Sequence, residues 1–142
     1  MKKTTVSVCT TLVLVLGVAS SLWVVSAADS AALQATTSMS ELMTRVVQPT
    51  SDAVFYVSRT PPATDEDWRR LENQTLMLAE SANLLLIPGY VREQEQWTTD
   101  SLLMRDAAVA AYAASKNKDL FALEDLNGAL YESCESCHNA TR

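Results

Sequence analysis

Near its C-terminal end the chain reads Tyr131-Glu132-Ser133-Cys134-Glu135-Ser136-Cys137-His138. Two thiols lie three positions apart, and the only histidine of the sequence follows the second. On a helix, residues three and four apart are neighbours, so Cys134, Cys137 and His138 would share one face. Leu120, Leu123, Asn127, Leu130, Tyr131 and Cys134 recur at that spacing, which predicts a helix from about Lys118 to the last residues. The thiols therefore sit at the end of a final helix, and the rest of the fold has to be built against it.

Three more periodic stretches lie upstream. Ser38 and Glu41 form a capping-box pattern, and Met39, Leu42, Met43, Val46, Val47, Val54 and Val57 follow at helical spacing. Pro49 lacks an amide donor and is expected to kink or break this first helix, with Thr50, Ser51 and Asp52 recapping the second piece. Thr60-Pro61-Pro62-Ala63 is a stop signal. Thr64 and Asp67 repeat the capping-box pattern, and Asp65-Glu66-Asp67 suits the positive end of a helix dipole. Trp68, Leu71, Leu78, Ala82 and Leu85 trace the buried face of this second helix, which Pro88-Gly89 ends. A third runs from about Glu93 to Ser115, with Trp97, Met104, Ala107, Ala108, Ala111 and Ala114 on one side. Strand-like alternation is hard to find. The fold class expected is all-α: an antiparallel up-down-up-down four-helix bundle whose first helix is kinked or broken near Pro49.

With 142 residues the chain has room for one domain. Its first residues read differently from the rest. Lys2 and Lys3 precede an apolar run from Val6 to Val25, and Val25-Ser26-Ala27 fits a small-residue cleavage site. The reading is a signal peptide over 1–27, a flexible leader over 28–37 and a helical domain over 38–142. The rival is a retained membrane anchor, since about 20 apolar residues suffice to span a bilayer. Cys9 falls within this run and is incidental. Cleavage would leave nine of the eleven Lys and Arg residues against seventeen Asp and Glu. An acidic domain does not suit nucleic acid or an anionic membrane surface; it suits a partner with a basic patch.

Four chemistries compete for Cys134-x-x-Cys137-His138. An exported compartment is oxidising, so a disulfide is the default for two nearby thiols, but it makes no use of the histidine. A structural zinc site needs four ligands, and the sequence offers no second Cys/His cluster. A thioredoxin-like redox motif wants a strand–helix setting. The fourth, C-x-x-C-H, is the attachment pattern of c-type haem, and it also agrees with export.

On these residues the chain resembles a class II c-type cytochrome, the cytochrome c′ family. The resemblance rests on the four-helix layout, on C-E-S-C-H at the end of the last helix, and on Arg142, four residues beyond His138. It implies one covalently attached haem c, with Cys134 and Cys137 as thioether anchors and His138 as proximal iron ligand. It also implies a periplasmic electron carrier, not an enzyme, passing single electrons to a redox protein, and a homodimer in some members. Leu42-Met43-Thr44-Arg45 resembles the distal stretch of six-coordinate members, which makes Met43 the candidate distal ligand. Five-coordinate members leave that position vacant and bind NO or CO, which is the alternative function. A third reading is a haem-free helical protein stapled by Cys134 and Cys137.

A methionine at helical spacing is more often core filler. Met39 lies one turn from Met43, while Met77 and Met104 fall on other helices. Trp68 and Trp97 read as core aromatics. Arg45 reads as a surface side chain that could alternatively meet a haem propionate. Asn73-Gln74-Thr75 matches a glycosylation acceptor but falls within a helix.

Overall fold

The computed structural model describes residues 33–141. The signal peptide or anchor expected over 1–27, Cys9, the first part of the leader and Arg142 lie outside the described residues. The order of elements is α1 (Met39–Leu42), a π-helical turn (Met43–Val47), α2 (Gln48–Phe55), α3 (Asp65–Leu84), α4 (Glu95–Lys116), α5 (Leu120–Asp125) and α6 (Asn127–Thr141). There is no strand among the described residues, and four helical segments pack against one another as a bundle. No helix among them is long and apolar enough to cross a membrane.

Both capping boxes form where the sequence places them. The Ser38 hydroxyl accepts the Glu41 amide at 3.2 Å, and the Glu41 carboxylate accepts the Ser38 amide at 3.5 Å. At α3, the Thr64 hydroxyl accepts the Asp67 amide at 3.2 Å and Asp67 accepts the Thr64 amide at 3.1 Å. Each box gives two otherwise orphaned donors a partner, which fixes where the helix begins.

Pro49 does not split the first segment. Val47 and Gln48 keep helical dihedrals (φ −64°, ψ −52° and φ −59°, ψ −55°), and the accommodation lies just before the proline. There the turn widens: the Gln48 amide donates to the Met43 carbonyl, five residues back. A proline ring in a regular helix clashes with the carbonyl four residues earlier, and an extra residue in the preceding turn relieves that clash. The expected recapping does not occur either. The Thr50 hydroxyl donates back to the Val46 and Val47 carbonyls at 2.6 and 3.0 Å, and Ser51 donates to Gln48 at 3.0 Å. These are mid-helix back-bonds to carbonyls; a cap would accept from amides.

α4 ends in a Schellman turn. The Asp119 amide donates to Ala114 at 2.9 Å and the Lys118 amide to Ser115 at 3.1 Å, with Lys118 at φ 55°. Asp119 then caps α5, accepting the Ala122 amide at 3.0 Å. The single last helix expected from Lys118 is thus two, α5 and α6, meeting at Leu126. Asn127 and Gly128, both weak helix formers, follow at once.

α4 is the central element, packing on α3 along one side and on α6 along the other. Leu78, Ala82, Ala108, Ala111, Leu123 and Leu130 are fully buried, and the alanines let α3 and α4 approach closely. Buried hydroxyls on this seam are satisfied: Thr75 donates to Leu71 at 2.9 Å and Ser115 to Ala111 at 2.8 Å. At the α3–α4 turn, Gly89 has φ 95°, and a side chain there would meet the Ala35 methyl at 2.7 Å. The Ala35 amide donates to Pro88 at 3.2 Å and the Thr37 amide to the Tyr90 hydroxyl at 3.3 Å. The last described residues of the leader segment are therefore in contact with the bundle.

Candidate functional site

α6 carries Leu130, Ser133 and Cys137 on its buried side, at i, i+3 and i+7. The Ser133 hydroxyl donates to Leu130 at 2.8 Å and Thr141 donates to Cys137 at 2.7 Å, so the face is tied by its own turns. Cys134 is half-buried beside it, and His138 lies exposed at the rim. These three side chains open onto one cleft of about 50 Å³. The π-turn supplies Met43 and Val47 to the same cleft, α4 supplies Asp100, Ser101 and Met104, and Leu85 closes it from the end of α3. Trp97, buried behind it, donates its indole N–H to the Leu85 carbonyl at 2.9 Å and so fixes that wall.

A polar bridge joins α4 to the cysteine segment. Gln96 donates to Asp100 Oδ1 at 2.8 Å and to the hydroxyl of Ser136, one of the two residues between the cysteines, at 3.1 Å. Asp100 is only 1 % exposed.

Cys134 and Cys137 are free thiols. Burial pushes both thiols above the ordinary value, outweighing hydrogen bonds with Ser133 and Thr141 respectively; the Asp100 charge and Cys134 push Cys137 further the same way. A thiol-exchange site depends on the thiolate and lowers these values. The environment here does the reverse, which weighs against thiol redox chemistry. No group of three or more His, Cys, Asp or Glu among the described residues converges as a metal-ion site.

Of the sequence-predicted residues, the structure brings together Cys134, Cys137, His138 and Met43. Met39 is half-buried against the core but does not line the cleft, and Met77 is 53 % exposed. Arg45 is exposed and pairs with Glu41 at 3.7 Å, the surface role. Trp68 is half-buried outside the cleft. The sequence reading missed Asp100 and Gln96, and it placed Met104 on another helix without seeing that it returns to this cleft. A signal was present: Asp100 lies three residues after Trp97 and four before Met104, the one acidic position in a buried register.

The donor set fits a c-type haem by its chemistry: two thiols one turn apart, an imidazole beside the second, and thioethers and aliphatic walls opposite. The volume does not admit the macrocycle with the side chains as they stand, since ligand pockets run to roughly 300–1,000 Å³. Met43 and Met104 are the unbranched members of the wall, the side chains best suited to repacking, although Met104 is buried in the core. A larger open groove of about 480 Å³ lies at the α2–α3 connection, between Tyr56, Pro61, Pro62, Leu71 and Arg70, and holds none of these donors.

Comparison of the chain with protein-family models, curated proteins and solved structures gave no match.

Proposed function

We propose that the chain is an exported monohaem c-type cytochrome of antiparallel up-down-up-down bundle topology, an electron carrier of the periplasm. The observation that carries this reading is the meeting of Met43 with Cys134, Cys137 and His138 on one cleft, although they come from the first and last helical segments of the described residues.

A covalently held haem c supplies a one-electron iron couple. Cys134 and Cys137 would anchor it by thioether bonds, and His138 would be the proximal ligand. Met43 would be the distal ligand, with Met104 as the competing thioether. Val47 and Leu85 give the cleft apolar walls. Low polarity around such a centre, together with His/Met ligation, sets its potential. The acidic exterior suits a redox partner with a basic patch.

Haem staining of the purified protein on a denaturing gel tests the anchor. Absence of covalent haem would falsify the reading and leave the disulfide-stapled helical protein. The spectrum tests the distal side: a low-spin form that becomes high-spin in Met43→Ala supports Met43. A low-spin spectrum that changes in Met104→Leu and not in Met43→Ala assigns Met104. A high-spin form with rapid CO uptake in the unmutated protein supports the five-coordinate gas-binding alternative.

A further inference from the structure

Among the described residues, Asp100 is the only carboxylate less than a tenth exposed. Its Oδ1 is held by Gln96 at 2.8 Å, while its buried Oδ2 has no hydrogen-bond partner. A carboxylate buried with half of its bonding unmet is strongly unfavourable, so the functional state should bring a donor to Oδ2.

The cleft holds few donors. The Ser101 hydroxyl donates to Trp97 at 2.7 Å and the Ser133 hydroxyl to Leu130 at 2.8 Å, so both are engaged. The two thiols cease to be donors on haem attachment: each S–H adds across a vinyl group, the sulfur bonding one carbon and the hydrogen going to the other. Among the side chains that line the cleft, the ring N–H of His138 is what remains.

We propose that Asp100 accepts the ring N–H of His138 in the haem-loaded protein and is thus a positioning residue for the axial imidazole. This inference rests on the cytochrome reading. A carboxylate on the second ring nitrogen of a ligating histidine fixes its tautomer and orientation and makes it a stronger donor to the metal. The oxidised iron is then favoured. Gln96 gives the device its rigidity, because the amide that holds Asp100 also holds Ser136, inside the C-E-S-C-H segment. The carboxylate and the segment bearing the imidazole are thereby tied to one point on α4.

The test compares the haem-loaded protein with its Asp100→Asn, Asp100→Leu and Asp100→Glu variants. Covalent haem is quantified first. The iron–histidine stretching frequency is then read by resonance Raman in the five-coordinate ferrous form (on a Met43→Ala background where the native iron is six-coordinate), together with the midpoint potential. The expected result is a lower stretching frequency in Asn and Leu, partial recovery in Glu, and a tenfold shift toward the reduced form. That shift corresponds to about 59 mV for one electron. A potential shift without a frequency change would mean a charge effect alone and overturns the positioning role. Unchanged values of both, with haem in place, overturn it as well and leave the cytochrome reading standing. Absence of haem from the unmutated protein overturns both. If the Asp100 variants do not fold, exposed Gln96→Ala serves instead: a smaller shift of the frequency in the same direction is expected, and none overturns the inference.

Discussion

α3 and α4 differ in kind from the segments that flank them. α3 runs unbroken over 20 residues and α4 over 22, and their seam is lined by Leu78, Ala82, Ala108 and Ala111. The first segment contains a π-turn, and the last is divided at Leu126. The interrupted segments carry Met43, Cys134, Cys137 and His138. The regular pair carries most of the core and, at one end, the cleft's inner wall. Regular helix is what apolar periodicity produces when packing alone decides; the irregular turns occur in the segments that bear the candidate ligands.

The sharpest way to separate the two regions is to remove the anchors. On the cytochrome reading, Cys134→Ala with Cys137→Ala should abolish covalent haem altogether, while far-UV circular dichroism of the haem-free chain keeps its helical signal. Loss of that signal would mean that the cysteine segment holds the fold as well. The reciprocal change is Leu78→Ala, at a fully buried position of α3. It should cost about 2–5 kcal/mol in urea unfolding and leave the haem spectrum of the folded fraction unaltered.

Pro49→Ala tests the π-turn. With the amide donor restored and the ring gone, the first segment should become regular helix and gain about 1 kcal/mol or more. The register upstream would shift by one residue, about 100° of rotation, and carry Met43 off the cleft. The expected readout is a more stable protein with a smaller low-spin fraction; an unchanged spectrum would detach Met43 from the iron.

Thr64→Ala removes a cap from the regular pair and should cost about 1 kcal/mol, with hydrogen exchange rising in the first turn of α3 and not at the cleft. The smallest effect is acid sensitivity. Thr64 holds the Asp67 carboxyl below its ordinary 3.8, Lys118 does so for Asp65, and Thr37 with Ser38 holds Glu41 below 4.5. Depressed carboxylates add stability above their unfolded values and lose it as pH falls through the folded ones. Fraying of α1 and α3 should therefore begin below about pH 4, and remain slight because these groups are exposed.

Helix starts were legible because capping is local: Ser38 with Glu41 and Thr64 with Asp67 are complete signals within four residues. Pro49 announced an irregularity but not its form, since relief by a widened turn or by a break depends on what the segment packs against. The end of α4 was legible to within a residue, although Lys118 just beyond it occupies a left-handed position that usually takes glycine; the division of the last segment at Leu126 was not. The cysteine–histidine motif was legible as spacing. That Met43 lines the cleft and Met39 does not was not legible, because the two lie one turn apart on the same face and only the position of the cleft along the segment separates them. Asp100 was overlooked because periodicity counts apolar residues, and its meaning lies in what it interrupts.

The turn from α4 into α5 also bears on the order of assembly. Asn117 to Asp119 reverse the chain within a Schellman turn and a cap, so the α4–α6 pairing, 40 residues apart at Gln96 and Ser136, closes a shorter loop than the one that brings Met43 to the cysteines, and shorter loops cost less entropy to close. The wall bearing Asp100 and Met104 would then meet the cysteines before the segment carrying Met43 arrives from the far end of the chain. During that interval the thiols would lack the wall that Met43 and Val47 supply in the finished fold.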